Sequence, residues 1–157
     1  MKTKTVNKVF LSHYHTINIP NNYILEVISD PKAFKLDNID ELFLKDIIGI
    51  CEDTEIASFL KTAISSLSPK GILHIQDIDI EQFCLYMSQK ILPITDKNLL
   101  YYNRHNMFYM RYLVQILQGF NNISISQLNF INGYEFYIMV EKNGLWNFRR
   151  YTCHTTR

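Results

Sequence analysis

Two histidines one residue apart, His13 and His15, follow the apolar run "KVFL" in the stretch "SHYHTINIPNN". Neutral imidazoles spaced i, i+2 on an extended chain share one face and can ligate one metal ion. The plainer reading is an exposed loop that carries two histidines. Further along, Asp77 and Asp79 follow the apolar stretch "GILHIQ". Two carboxylates at a strand's carboxyl end suit acid/base chemistry, but Asp79 is equally placed to cap the next helix, and capping is the favoured reading. Lys45 and Asp46, after "LFL", are candidates of the same kind. Cys84 falls among apolar residues of a predicted helix, which favours core packing over nucleophilic work. Tyr101, Tyr102, Arg104 and His105 form a polar aromatic cluster that suits a cleft lining or a loop packed on a sheet.

Bulk properties narrow the classes. The chain has 157 residues, 47% apolar, 13% aromatic and 20% charged, which fits one folded domain with a core of its own. A net charge of +1 gives no electrostatic reason to expect nucleic acid or an acidic membrane as partner, and Arg149 and Arg150 alone make no basic patch. Cys51, Cys84 and Cys153 form no CxxC pair, which predicts reduced thiols and a cytoplasmic location. The apolar run near the N-terminus is too short for a signal core, and no run is long enough for a membrane span.

These residues are positioned by an alternating series of elements. "KVFL" and "YILEVI" read as strands, with a loop of turn formers between them. "SDPKAFKLDN" reads as loop, and "IDELFL" fits strand or helix. "EDTEIASFLKTAISSL" predicts a helix capped by Asp53 or Thr54, with Ile56, Phe59, Leu60, Ala63, Ile64 and Leu67 on its buried face, ending at "SPKG". "GILHIQDID" predicts a strand and "IEQFCLYMSQKIL" a helix. "HNMFYMRYLVQILQGF" predicts a third helix that buries Met110, Leu113, Val114 and Leu117 and stops at Gly119. Two β-rich runs around Asn132-Gly133 predict a hairpin. Together these elements predict an α/β fold with a mostly parallel sheet and one inverted strand.

The order of features resembles the class I S-adenosylmethionine-dependent methyltransferases. "FLKTAISSLSPKGILHIQDID" is similar to that family's helix–turn–strand stretch, with Leu67, Pro69, Gly71, Ile75 and Asp79 at matching places. "LDNIDELFLKDII" matches an acidic segment through Asp40 and Glu41, and "LVQILQGFNNISI" matches the approach to the last two strands. The resemblance spans roughly residues 7 to 142 and implies a Rossmann-like sheet with a C-terminal antiparallel hairpin. It implies a methyltransferase-like domain over residues 1–145, followed by a tail over residues 146–157.

The departure is at the cofactor loop. The short-loop members of the family carry a glycine-rich turn after the first strand, where the backbone passes close to the cofactor. Here Ser12, His13 and Tyr14 stand in those places, and no glycine precedes Gly49. By the resemblance, Ser12, His13, Tyr14, Glu26 and Asp46 are the candidate S-adenosylmethionine contacts, with Glu26 the acidic residue expected to meet the ribose hydroxyls. No catalytic residue is assigned. The favoured expectation is a degenerate member with weakened or lost cofactor binding, acting as a binding or scaffold subunit in a homo-oligomer or beside a partner subunit. The alternative is an active small methyltransferase with an atypical loop and an unnamed methyl acceptor. A minor alternative is a metal-dependent hydrolase built on His13 and His15. "HYH" resembles the HxHxDH of metallo-β-lactamase-like hydrolases, but Ile17 and Asn18 occupy the positions of its Asp and last His.

Overall fold

The computed structural model describes residues 7–12, 19–89 and 109–143. Six strands form one sheet: β1 (Lys8–Ser12), β2 (Ile24–Val27), β3 (Ile39–Lys45), β4 (Leu67–Ile78), β5 (Ile123–Ile131) and β6 (Glu135–Lys142). Their order is β2-β1-β3-β4-β6-β5. The pairs β1–β2, β1–β3 and β3–β4 are parallel, and β6 runs antiparallel to both β4 and β5. This is the mostly parallel sheet with a C-terminal hairpin that the sequence predicts. The described helices are α1 (Ile56–Ser66), α2 (Ile80–Ser88) and α3 (Met110–Gln118). Among them, none is long and apolar enough to cross a membrane.

Strand alternation divides the sheet into two unlike faces. On one, Val9, Leu11, Leu42, Leu44, Leu73, Ile75, Phe136, Ile138 and Val140 form a buried core with α1 and α3. α1 contributes Ile56, Phe59, Leu60, Ala63 and Ile64, the stripe read from its spacing, and α3 contributes Leu113 and Leu117. Met110 and Val114 of α3 are only partly buried against this core. Near-continuous apolar side chains on one side of parallel strands, covered by helices, are what that geometry demands.

Three local expectations are corrected. Neither Asp53 nor Thr54 caps α1; Glu55 holds the N-cap position in a helical conformation with no side-chain cap bond. A turn whose Glu55 N–H bonds Glu52 O leads straight into the helix, and the Glu55 carboxylate pairs with Lys32 instead. α1 also ends at Ser66, before "SPKG", and the chain passes directly into β4. There Leu67 pairs with Ile39 and Ile72 with Glu41, so "SPKG" forms a bulge inside β4, with Lys70 at φ 64°. Gly71 is needed at this point because a Cβ would lie 2.9 Å from Ser68 O and 3.0 Å from Ile39 O. Finally, Cys84 is exposed on α2, not in the core: α2 buries Phe83, and the next residue turns outward.

The hairpin forms around Asn132 (φ 53°) and Gly133 (φ 82°), a backbone only such residues enter readily. A side chain at Gly133 would also collide with Tyr86 of α2. The ambiguous "IDELFL" is strand β3, fixed by pairing on both sides with β1 and β4.

Candidate functional site

The chain leaves β1 for β2 on one side and then returns past β1 to β3 on the other. The carboxyl ends of β1 and β3 therefore flank the topological switch point, where open α/β sheets bind ligands. Ser12 and Lys45 are the terminal residues of these strands and are paired with each other. Lys45 pairs in turn with Gln76 on β4, so three side chains of one face line the edge in a row.

A polar strap crosses this row. Glu135, the first residue of β6, accepts at Oε2 from Lys45 Nζ (3.2 Å) and from Gln76 Nε2 (2.6 Å). Lys45 Nζ also lies 3.7 Å from Asp46 Oδ2. Lys45 and Glu135 keep only 16% and 10% of their side-chain surface, so the pair is largely screened from water. Asp46 sits just beyond β3 at φ 58°, and its N–H bonds Gln76 O at 3.0 Å. Strain of this kind is tolerated best by Asp, Asn and Gly.

The two aspartates after β4 work on backbone groups. Asp77 Oδ2 accepts from Gly49 N–H at 3.1 Å and Oδ1 from Ile78 N–H at 2.8 Å, which ties the 3-10 turn Ile48–Ile50 to the end of β4. Asp79 caps two helices with one carboxylate. Its Oδ1 accepts from Gln82 N–H of α2 (3.0 Å) and its Oδ2 from Met110 N–H of α3 (2.8 Å). The capping read from sequence is present, and it extends to a second helix.

The same face carries a second polar constellation below the strap. Phe10, Phe43, His74 and Tyr137 stack across β1, β3, β4 and β6, with centroid separations of 4.8, 5.3 and 5.9 Å in that order. His74 bridges Tyr137 Oη (Nδ1, 2.6 Å) and Glu41 Oε1 (Nε2, 3.0 Å). Glu41 also accepts from Tyr23 and pairs with Lys8 at 2.5 Å. Burial pushes the His74 pKa down, and it stays below its ordinary value although the Glu41 contact pulls it up. For Glu41 burial pushes upward, but Lys8, Tyr23 and His74 outweigh it and lower the carboxyl's pKa. Burial first, then Glu41, raises Tyr23 and Tyr137, so both phenols stay protonated. Burial also lifts the Cys51 thiol to about 12, which leaves it inert.

Of the residues singled out from sequence, Ser12, Lys45 and Asp46 lie at the switch point. Glu26 pairs with Leu11, which places it on the core side of the sheet, one residue short of the tip of β2. His13, Tyr14 and His15 lie outside the described residues, as do Tyr101, Tyr102, Arg104, His105, Arg149, Arg150, Cys153 and the tail. Among the described residues no group of three or more His, Cys, Asp or Glu is placed to hold a metal ion. Sequence reading missed Gln76, Glu135, His74, Tyr23 and Tyr137. Polar residues at strand positions facing one side were the available signal, but only pairing brings residues as distant as Lys45 and Glu135 together.

No protein-family model and no curated protein matches the chain. Solved structures do. The plantazolicin methyltransferase BpumL, solved with a monoazolic desmethylPZN analog and SAH, superposes with a TM-score of 0.60 at 13% identity, over 87% of this chain and 66% of that one. An O-methyltransferase family 2 protein from Planctomyces limnophilus, in complex with apigenin, gives 0.55 at 14% identity, over 78% of this chain and 36% of that one. The magnesium protoporphyrin IX methyltransferase of Synechocystis, with bound SAH, gives 0.51 at 13%, over 77% of this chain and 51% of that one. The chain thus spans 36% to 66% of the length of these proteins. At such identities the likeness concerns architecture, and the architecture is the Rossmann-like fold of the class I methyltransferases.

Proposed function

We propose that this chain is a methyltransferase-like domain whose cofactor crevice is filled by its own side chains, so that it serves as a binding or scaffold subunit. The observation that carries the reading is the strap Lys45–Gln76–Glu135 across the carboxyl edge, beside the fully buried Ser12. S-adenosylmethionine fits the described residues poorly on three counts. Ser12 brings a side chain where the backbone would need to approach the cofactor bare. The carboxylate that would hold a ribose is on the far side of the sheet, at Glu26. Lys45 sets an ammonium at the switch point, where it opposes a sulfonium cation.

A second reading, an active small methyltransferase with an atypical loop, is favoured by one observation. Asp46 and Glu135 outnumber Lys45 within the strap itself, and this acidic surplus suits a cationic ligand. Calorimetric titration with S-adenosylmethionine and S-adenosylhomocysteine separates the two. The scaffold reading expects no saturable heat with either. Micromolar binding of one of them overturns it and leaves the enzyme reading in place.

A further inference from the structure

We infer that the outer edge of β5 pairs with β5 of a second copy of this chain, joining two sheets into one continuous sheet. This holds whether or not the crevice takes a cofactor. β5 is the last strand of the sheet among the described residues, and its residues Ser126–Phe130 are exposed. An edge strand offers its outward N–H and C=O groups to any chain that can align with it.

Proteins usually blunt such an edge with lysine, proline, an inward charge, a bulge, a very short strand or a covering helix or loop. The opposite edge, β2, is short and carries Glu26. β5 is nine residues long and carries no charge or proline, and its one bulge lies at Ser126, before the regular segment Gln127–Ile131. The neutral stretch is longer still: from Tyr112 to Tyr134 the sequence contains no Asp, Glu, Lys, Arg or His. In a two-fold pairing every side chain meets one from the same strand, so a charge near the axis would face its own copy. A strand without charge is the strand that can pair with itself.

The bulge sets the register. β5 shifts its pairing with β6 between Ile125 and Gln127, and only Gln127–Ile131 runs regularly to the hairpin. A two-fold axis at Asn129 uses that regular segment in full. It sets Leu128 against Phe130 of the second copy on one face, and Gln127 against Ile131 on the other. Leu128 and Phe130 are large apolar side chains left 45% and 42% exposed, and they lie on the same face. The pairing covers both at once, with no strand displaced.

The experiment is sedimentation equilibrium on the full chain, alongside Asn129→Lys and Asn129→Glu. Residue 129 is exposed, so matched circular dichroism and thermal midpoints check that both variants fold. The expected result is a wild-type dimer, monomers for each variant alone, and a restored one-to-one dimer when the two variants are mixed. Charge opposed to charge at the axis explains that pattern, and an interface elsewhere does not. A monomeric wild type overturns the proposal and leaves the edge to a partner of different sequence. A dimer that persists in Asn129→Lys overturns it as well.

Discussion

Replacing Lys45 by Met removes the cation that two carboxylates share at the carboxyl edge. Lys45 Nζ lies 3.2 Å from Glu135 Oε2, and both side chains are mostly buried. At that separation, with an effective dielectric of about 20, the Coulomb attraction is about 5 kcal/mol before desolvation is counted. Desolvating the two ions offsets most of it, so the net value of the pair is small. The asymmetry is what matters: Lys45→Met alone leaves Glu135 buried without its cation, with Gln76 as its remaining side-chain partner among the described residues, at a cost of about 3 kcal/mol. Glu135→Gln alone leaves the ammonium with Asp46, at 3.7 Å, and costs about 1–2 kcal/mol. The double variant Lys45→Met/Glu135→Gln leaves neither charge and should sit within about 1 kcal/mol of the parent. A double-mutant cycle by urea unfolding therefore expects a coupling energy of about 3–6 kcal/mol. Additive single effects, with coupling below about 0.5 kcal/mol, would refute the strap as a cooperative unit.

Four other outcomes are expected. His74 is held neutral by burial, and its folded pKa lies below its unfolded value. The unfolded chain then binds the extra proton, so stability is full above pH ~6.5 and falls as pH drops towards the folded value. Thermal midpoints across pH 5 to 8 read this, and His74→Gln should flatten the curve. Gly71→Ala forces a Cβ against two backbone oxygens that cannot move aside, and should cost about 1–3 kcal/mol in urea unfolding. Asp79→Ala strips the acceptor from the first turns of α2 and α3 together, at about 2 kcal/mol, twice an ordinary cap loss. Alkylation of the native protein, mapped by peptide mass, should label Cys84 rapidly and spare Cys51 until unfolding, given exposure of the first and a thiol pKa near 12 for the second.

The parts legible in sequence are those set by local periodicity. α1 shows its buried stripe at helical spacing, and Asn132-Gly133 marks the hairpin, because each signal lies within a few residues. Boundaries were less legible. Asp53 and Thr54 look like caps, but capping depends on how the chain arrives, and here it arrives already helical at Glu55. "SPKG" looks like a turn, yet pairing of Leu67 with Ile39 draws it into a strand. The candidate site was legible at Ser12, Lys45 and Asp46, but not in the partners that Lys45 meets. Lys45, Gln76 and Glu135 meet because β4 lies between β3 and β6, and strand order is a property of the whole sheet. His74, Glu41 and Tyr23 meet for the same reason.

The double use of Asp79 also bears on how this chain can vary. One carboxylate holds the first turn of α2 and the first turn of α3, so the excursion between residues 80 and 109 begins and ends at a single point. The Asp79 N–H is itself fixed to Tyr134 O at the hairpin. Joining two ends held on such a staple costs little more when the connecting sequence lengthens, since closure entropy grows only as the logarithm of length. The sequence between the two helices is thus a place where length can change at little cost, as long as Asp79 keeps both first turns.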